Sequence, residues 1–267
     1  MLPIKDLKKL RFLIPNACTS FSLLLGLSSV FCAVKGNYSL AAWMILWSVL
    51  LDKLDGTMAR AFNACSEFGM QFDSFADFVA FGFAPAALYL CALTDPAVAA
   101  NLVHEKWIMA ACGVYVVAVA VRLARFNIVN PPMSNNVFYG MPTTLMGAGL
   151  SSWFLTWQKF AIPVEWMSPM PFILLICAFA MISNVLLPKL KLRKSVPLNV
   201  FLIVNVSFAY IMAPLQKFPE ILFAQAVVYM MVGSIWYFIY PPSAKAEPSE
   251  TELTDEELIP LDAGPSI

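Results

Sequence analysis

DKLDGTMARAFNACSEFGMQFDSFAD, residues 52–77, sets four aspartates, two glycines and an arginine into sequence that is otherwise strongly apolar. Asp52 and Asp55 are three apart, and Asp73 and Asp77 are four apart, so on helices each pair occupies one face. Asp52, Asp55, Gly56 and Ala59 form one stripe; Ser66, Gly69, Asp73, Asp77, Ala80 and Ala84 form another. Two carboxylate-bearing stripes without bulky side chains can face each other across a small gap. Four close carboxylates repel unless cations sit between them, and acidic oxygen ligands suit hard divalent ions. Lys53 and Arg60 are too few to neutralise four acids. An ionisable residue at the centre of a membrane helix costs about 2.5–3.5 kcal/mol on insertion scales. The set therefore reads as a metal centre or an ion path rather than as helix-packing ion pairs.

Working outward, 60% of the 267 residues are hydrophobic, against about 45–50% in a soluble domain. This is the composition of a membrane protein, with the bilayer as solvent. The formal net charge is zero, which gives a nucleic-acid partner no electrostatic support. Glu247, Glu250, Glu252, Asp255, Glu256, Glu257 and Asp262 all lie at the C-terminal end. Residues 241–267, rich in Pro, Ser and Glu, read as an acidic disordered cytoplasmic tail, and residues 1–240 as one integral membrane domain. The six cysteines are scattered, mostly in apolar segments, without metal-ligand spacing, and read as buried small hydrophobes. His104, the single histidine, falls in a polar connection and gives Ser–His or Cys–His catalysis little to stand on.

The fold class expected is an all-α polytopic membrane protein of about eight transmembrane helices, preceded by a short N-terminal interfacial helix at residues 1–11. The spans are expected near residues 12–34, 39–60, 66–93, 106–126, 141–157, 168–187, 198–214 and 219–240, the first being a span and not a cleavable signal peptide. Thirteen basic residues, from Lys5 to Lys245, fall on one side, and Lys35, Lys106, Lys159 and Lys217 on the other. The positive-inside rule makes the first side cytoplasmic, with both termini and the aspartate stretch facing it. The Pro131-Pro132 loop and the basic stretch Lys189–Ser195 punctuate the second half of the chain.

The pattern D-x2-D-G-x2-A-R-x8-G-x3-D-x3-D, met by Asp52, Asp55, Gly56, Ala59, Arg60, Gly69, Asp73 and Asp77, resembles the signature of the CDP-alcohol phosphotransferases. Further stretches are similar to the phosphatidylserine synthase branch of that family: Ile14–Gly26, Phe72–Ala86, Arg122–Asn127, the Gly-Met-Pro at residues 140–142, and Met181–Lys191. Where relatives of that branch commonly carry Leu-Pro-x-Pro, this chain has Met141-Pro142-Thr143-Thr144. The resemblance implies transfer of a phosphatidyl group from CDP-diacylglycerol to L-serine with release of CMP. It implies Mg2+ or Mn2+, two ions, at Asp52, Asp55, Asp73 and Asp77, with Asp77 also the catalytic base. It places Asn16, Thr19, Gly56, Arg60, Ser66 and Gly69 around the CDP-lipid, and it implies a homodimer in the cell or inner membrane among membrane lipids.

Chemistry adds detail to those roles. Gly56 lets backbone approach a phosphate closely, and Arg60 can fork onto phosphate oxygens. On chemistry alone, Asn16 and Thr19 read equally well as hydrogen bonds between helices. Arg122 and Arg125, three apart at the cytoplasmic end of the fourth span, can capture an anionic acceptor or serve topology and headgroup contact. Serine, glycerol 3-phosphate and inositol phosphate all carry an anion; free choline and ethanolamine do not. Two alternatives stay open: the same chemistry with another acceptor, and a divalent cation transporter. Transport needs no nucleotide site, so neutralising Arg60 separates the second from an enzyme.

Overall fold

A computed structural model describes residues 4–99, 103–128, 137–188 and 206–239. The architecture is helical apart from one small two-stranded ladder. In chain order the elements are α1 (Ile4–Val34), α2 (Tyr38–Ala61), α3 (Glu67–Asp77), a π-helical segment (Phe78–Phe83), α4 (Ala84–Thr94) and the single turn α5 (Pro96–Ala99). Then come α6 (Glu105–Ile128), β1 (Val137–Tyr139), α7 (Thr143–Lys159), a 3-10 turn (Val164–Met167), α8 (Met170–Ile182), β2 (Leu186–Pro188), α9 (206–212) and α10 (Pro219–Ile239). Among the described residues, four stretches are long and apolar enough to cross a bilayer: Phe12–Val34, Glu67–Thr94, Glu105–Ile128 and Val164–Ile182. α2 is as long but carries Asp52, Lys53, Asp55 and Arg60. No break separates residues 4–11 from the first span; α1 runs through both. The acidic tail, the Pro131-Pro132 loop and the basic stretch after Pro188 lie outside the described residues, as does the first part of the expected seventh span.

Small residues lie where backbones approach in the bundle, and many large apolar side chains face outward. Ala33, Ala41, Ala42, Ala80, Ala84, Ala111 and Ala118 are buried, whereas Phe21, Phe31, Phe172, Ile176 and Phe179 are exposed. A Cβ on Gly26 of α1 would stand 2.7 Å from the Ala80 Cα, so glycine sets that crossing. Polar groups are paired between helices. Ser48 Oγ donates to Ser22 O at 3.1 Å, Ser29 Oγ to Ala41 O at 2.8 Å, and Tyr89 OH to Leu150 O at 2.7 Å. On the far side from the aspartates, Tyr38 OH and Ala97 N–H donate to Asp95 at 2.7 and 2.9 Å and hold its carboxyl below the usual range.

The third span is α3, the π-helical segment and α4 in one rod, and its irregular middle has a chemical cause. Pro85 has no N–H to offer the preceding turn. Phe81 O, which would accept that N–H in an α-helix, instead accepts Tyr115 OH from α6 at 2.8 Å. The wider turn is a π-bulge of the kind that relieves such a conflict.

Gly140 fixes the start of α7. It has φ +73°, and its N–H donates to Val185 O at 2.9 Å. A Cβ there would collide with the Met181 carbonyl oxygen at the end of α8. The β1–β2 ladder, pairing Phe138 with Leu187, ties the same two chain segments together. Gly140→Ala is expected to lower the thermal midpoint of the detergent-solubilised protein by more than Gly36→Ala does. Gly36 also has positive φ (+77°) but open space around it, so it carries only the backbone strain of about 1–3 kcal/mol. Equal effects would show that the α7–α8 contact tolerates a methyl group.

Candidate active site

Two helices and the turn between them bring the aspartates together. α2 ends in a left-handed residue, Asn63 (φ +48°), with Ala64 N–H reaching back to Ala59 O at 2.8 Å, the hydrogen-bond pattern of a Schellman closure. Ser66 then caps α3, its Oγ accepting Gly69 N–H at 3.0 Å. The chain thus turns back within five residues, and α3 returns beside the C-terminal end of α2.

In this arrangement one carboxylate oxygen each of Asp52, Asp55 and Asp73 lie within 4.8 Å of one another. Asp77, one turn further along α3, is within hydrogen-bonding reach of Asp52. Among the described residues the cationic partner of this group is Lys53, 3.4 Å from Asp52 and itself largely exposed. Three converging hard oxygen donors with so little countercharge fit a divalent cation.

Of the expected CDP-lipid residues, Thr19 contacts the carboxylate group directly. Thr19 of α1 is buried and donates to Asp55 Oδ2 at 2.7 Å. The helix-to-helix reading of Thr19 therefore holds as geometry, and the helix it bonds is the one bearing the metal-type ligands. The Asn16 carboxamide lies against Gly69: a Cβ on Gly69 would be 3.5 Å from Asn16 Oδ1 and 3.1 Å from Ser66 Oγ. On α2, the Arg60 guanidinium lies near Gly56, whose added Cβ would be 3.6 Å from Nη1. Asn16, Ser66 and Gly69 thus lie together, and Gly56 and Arg60 lie together on the α2 segment that carries Asp55.

The two arginines separate. Arg122 is buried on α6, and its Nη1 donates to Thr143 Oγ1 at 3.3 Å. Its Nε is buried and meets no acceptor among the described residues. Thr143 Oγ1 in turn donates to Asp77 Oδ2 at 3.3 Å. Arg125 instead holds the end of α8, donating to Ile182 O at 3.0 Å and Asn184 Oδ1 at 2.6 Å. Asn127 Nδ2 fastens the same end of α6 to Gln71 on α3 at 3.1 Å. Thr143 has no place in the sequence-level site. Its signal lies in Met141-Pro142-Thr143-Thr144, where the chain departs from the branch pattern by carrying hydroxyls.

Comparison with known proteins agrees with the motif. A family model described as CDP-alcohol phosphatidyltransferase matches residues 12–236. The chain is 39% identical over 141 residues to a Helicobacter pylori CDP-diacylglycerol–serine O-phosphatidyltransferase, covering 53% of this chain and 55% of the relative. It is 36% identical over 136 residues to a Mycobacterium leprae protein of the same name, covering 49% and 42%. It is 30% identical over 145 residues to an archaetidylserine synthase of Methanothermobacter thermautotrophicus, covering 54% and 58%. The chain spans about half the length of the curated relatives it matches. With the family match extending over most of the sequence and the motif's carboxylates converging in space, the chain belongs to the CDP-alcohol phosphatidyltransferase family.

Proposed function

We propose that the protein transfers the phosphatidyl group of CDP-diacylglycerol to the hydroxyl of L-serine, giving phosphatidylserine and CMP. The observation that carries this reading is one continuous site: the Asp52–Asp55–Asp73 group adjoins Asp77, and Asp77 leads through Thr143 to the buried Arg122. The serine-specific names of the relatives support the acceptor. Divalent cations, Mg2+ or Mn2+ and two in number, held by Asp52, Asp55, Asp73 and Asp77 would neutralise the pyrophosphate and polarise the phosphorus under attack.

The chain's own residues do the rest. Arg60 forks onto phosphate oxygens while Gly56 and Gly69 let the nucleotide approach backbone, with Asn16 and Ser66 at the rim. Thr19 orients Asp55. Arg122 takes the serine carboxylate through Nε, which meets no acceptor among the described residues, and Arg125 frames the pocket from the α8 side. The serine hydroxyl attacks the lipid-linked phosphorus in line. Its oxygen–phosphorus bond forms as the bond to the bridging pyrophosphate oxygen breaks, its proton passes to Asp77, and CMP leaves with the bridging oxygen. The reading includes eight spans, both termini and the site facing the cytoplasm, one membrane domain over residues 1–240 with an acidic tail, and a homodimer.

The test follows CMP release by purified protein in mixed micelles with CDP-diacylglycerol and Mg2+ or Mn2+. Serine, glycerol 3-phosphate and inositol phosphate are offered in turn. Serine-dependent release is expected. Release with a phosphorylated acceptor instead would keep the chemistry and replace the substrate. No release with any acceptor, together with metal flux into vesicles, would replace the enzyme with a transporter.

A further inference from the structure

We propose that Thr143 is a positioning residue of the transfer: its hydroxyl bridges Arg122 and Asp77, coupling the group that holds the acceptor to the group that takes its proton. The inference rests on the reading above. Its geometry is a chain of two contacts, Arg122 Nη1 to Thr143 Oγ1 and Thr143 Oγ1 to Asp77 Oδ2, each 3.3 Å. These residues come from three different elements, α6, α7 and the third span. Thr143 itself is 1% exposed, so no bulk water competes for its hydroxyl.

Donor and acceptor rules fix the direction of the bridge. A guanidinium can only donate, so the Thr143 oxygen must accept from Arg122, and its single proton is left for Asp77. One carboxylate oxygen of Asp77 is thereby engaged, which restrains the rotation of the carboxylate. Arg122 keeps a buried Nε without an acceptor among the described residues. Among the described residues Arg122 makes no direct ion pair with Asp77. A direct pair would consume the donors an acceptor carboxylate needs. The intervening hydroxyl keeps the arginine available and the base aligned. Both contacts are long for full-strength hydrogen bonds, as catalytic contacts often are before substrate draws them in. The rigid turn at Gly140 and the Pro142 that precedes α7 place Thr143 at the first position of that helix.

The test separates hydroxyl from shape. Thr143→Val keeps the volume and loses the hydroxyl; Thr143→Ser keeps the hydroxyl and loses the methyl; Thr143→Ala loses both. CMP release is measured against serine and CDP-diacylglycerol separately, with thermal midpoints taken on each variant. Thr143→Val is expected to lower kcat by about 10- to 100-fold, the scale of a misaligned reacting group. It is expected to raise the serine KM several-fold and to leave the CDP-diacylglycerol KM unchanged. Thr143→Ser is expected to stay near wild type. If the Val variant does not fold, the Ser and Ala variants carry the comparison, since both lack the methyl group. A packing role predicts the reverse order, with Val near wild type and Ser impaired, and that result overturns the proposal. Equal loss in Ser and Ala, or equal change in both KM values, also overturns it. A wild-type protein inactive with serine would refute the underlying functional reading, whereas an active wild type with an unimpaired Val variant refutes only the bridge.

Discussion

Asp77→Asn is expected to reduce serine-dependent CMP release by about a thousandfold or more, near the upper part of what a positioned general base contributes. The two side chains are nearly isosteric, and an asparagine carbonyl can still accept the Thr143 hydroxyl. The substitution therefore keeps the contact at the start of α7 and removes the negative charge, and with it the proposed capacities to take a proton and to help hold an ion. CDP-diacylglycerol binding is expected to stay within a few-fold of wild type, because uniform binding is not what the base supplies. The metal dependence sharpens the assignment. Asp77 is not one of the three aspartates whose oxygens lie within 4.8 Å of each other, although it contacts Asp52. A variant that keeps the wild-type metal half-saturation but loses turnover assigns Asp77 to proton transfer. One that regains turnover at high metal assigns it to the ion instead, and release within tenfold of wild type removes it from both roles.

Much of this site is legible in the sequence because it is built from local periodicity. Spacings of three and four place Asp52 with Asp55 and Asp73 with Asp77 on helix faces, and the small residues between them announce a close approach. The same local logic places a helix within each expected span that falls among the described residues, but four of those stretches meet the length and apolarity of a crossing, and the expected span 168–187 stops as helix at Ile182 before the chain enters β2. What is not legible is whatever depends on contact between distant segments. Arg122 and Arg125 share a face of α6 by spacing, yet one points to Thr143 and the other to the end of α8. Only the packing of α7 and α8 against α6 separates them. The Thr19 bond to Asp55 crosses 36 positions and the Thr143 bond to Asp77 crosses 66, and a hydroxyl in an apolar helix carries no sign of its partner. Pro85 could be read as a helix disturbance, but not that Tyr115 would satisfy the carbonyl it orphans. The continuity of α1 through residues 4–11 likewise follows from helix propagation, which basic residues on a lead-in segment do not interrupt.

Asp55→Asn is expected to raise the stability of the metal-free protein while abolishing its stabilisation by metal. Three carboxylates with oxygens within 4.8 Å repel by roughly 3 kcal/mol per pair if all are charged, at an effective dielectric of about 20. Lys53 offsets little of this because it is largely exposed and, among the described residues, forms its ion pair with Asp52. Neutralising one member relieves two of the repulsive pairs, so the apo thermal midpoint should rise. In wild type, Mg2+ or Mn2+ should raise the midpoint progressively, with the logarithm of ion concentration above the dissociation constant, because an ion that binds only the folded chain stabilises it by mass action; chelator should reverse the rise and stop CMP release. In Asp55→Asn the ion should add little and turnover should be lost. Thr19→Val makes the intermediate case. It leaves all carboxylates in place but removes the hydroxyl that orients Asp55, and loss of such a supporting contact weakens metal binding by about 10- to 100-fold. Arg60→Gln completes the series: if Arg60 meets phosphate as proposed, metal stabilisation should be intact while the CDP-diacylglycerol KM rises. An apo Asp55→Asn protein that is less stable than wild type would mean that Asp55 is held by Thr19 as a structural hydrogen bond. The carboxylate cluster would then be packing rather than an ion site built under strain.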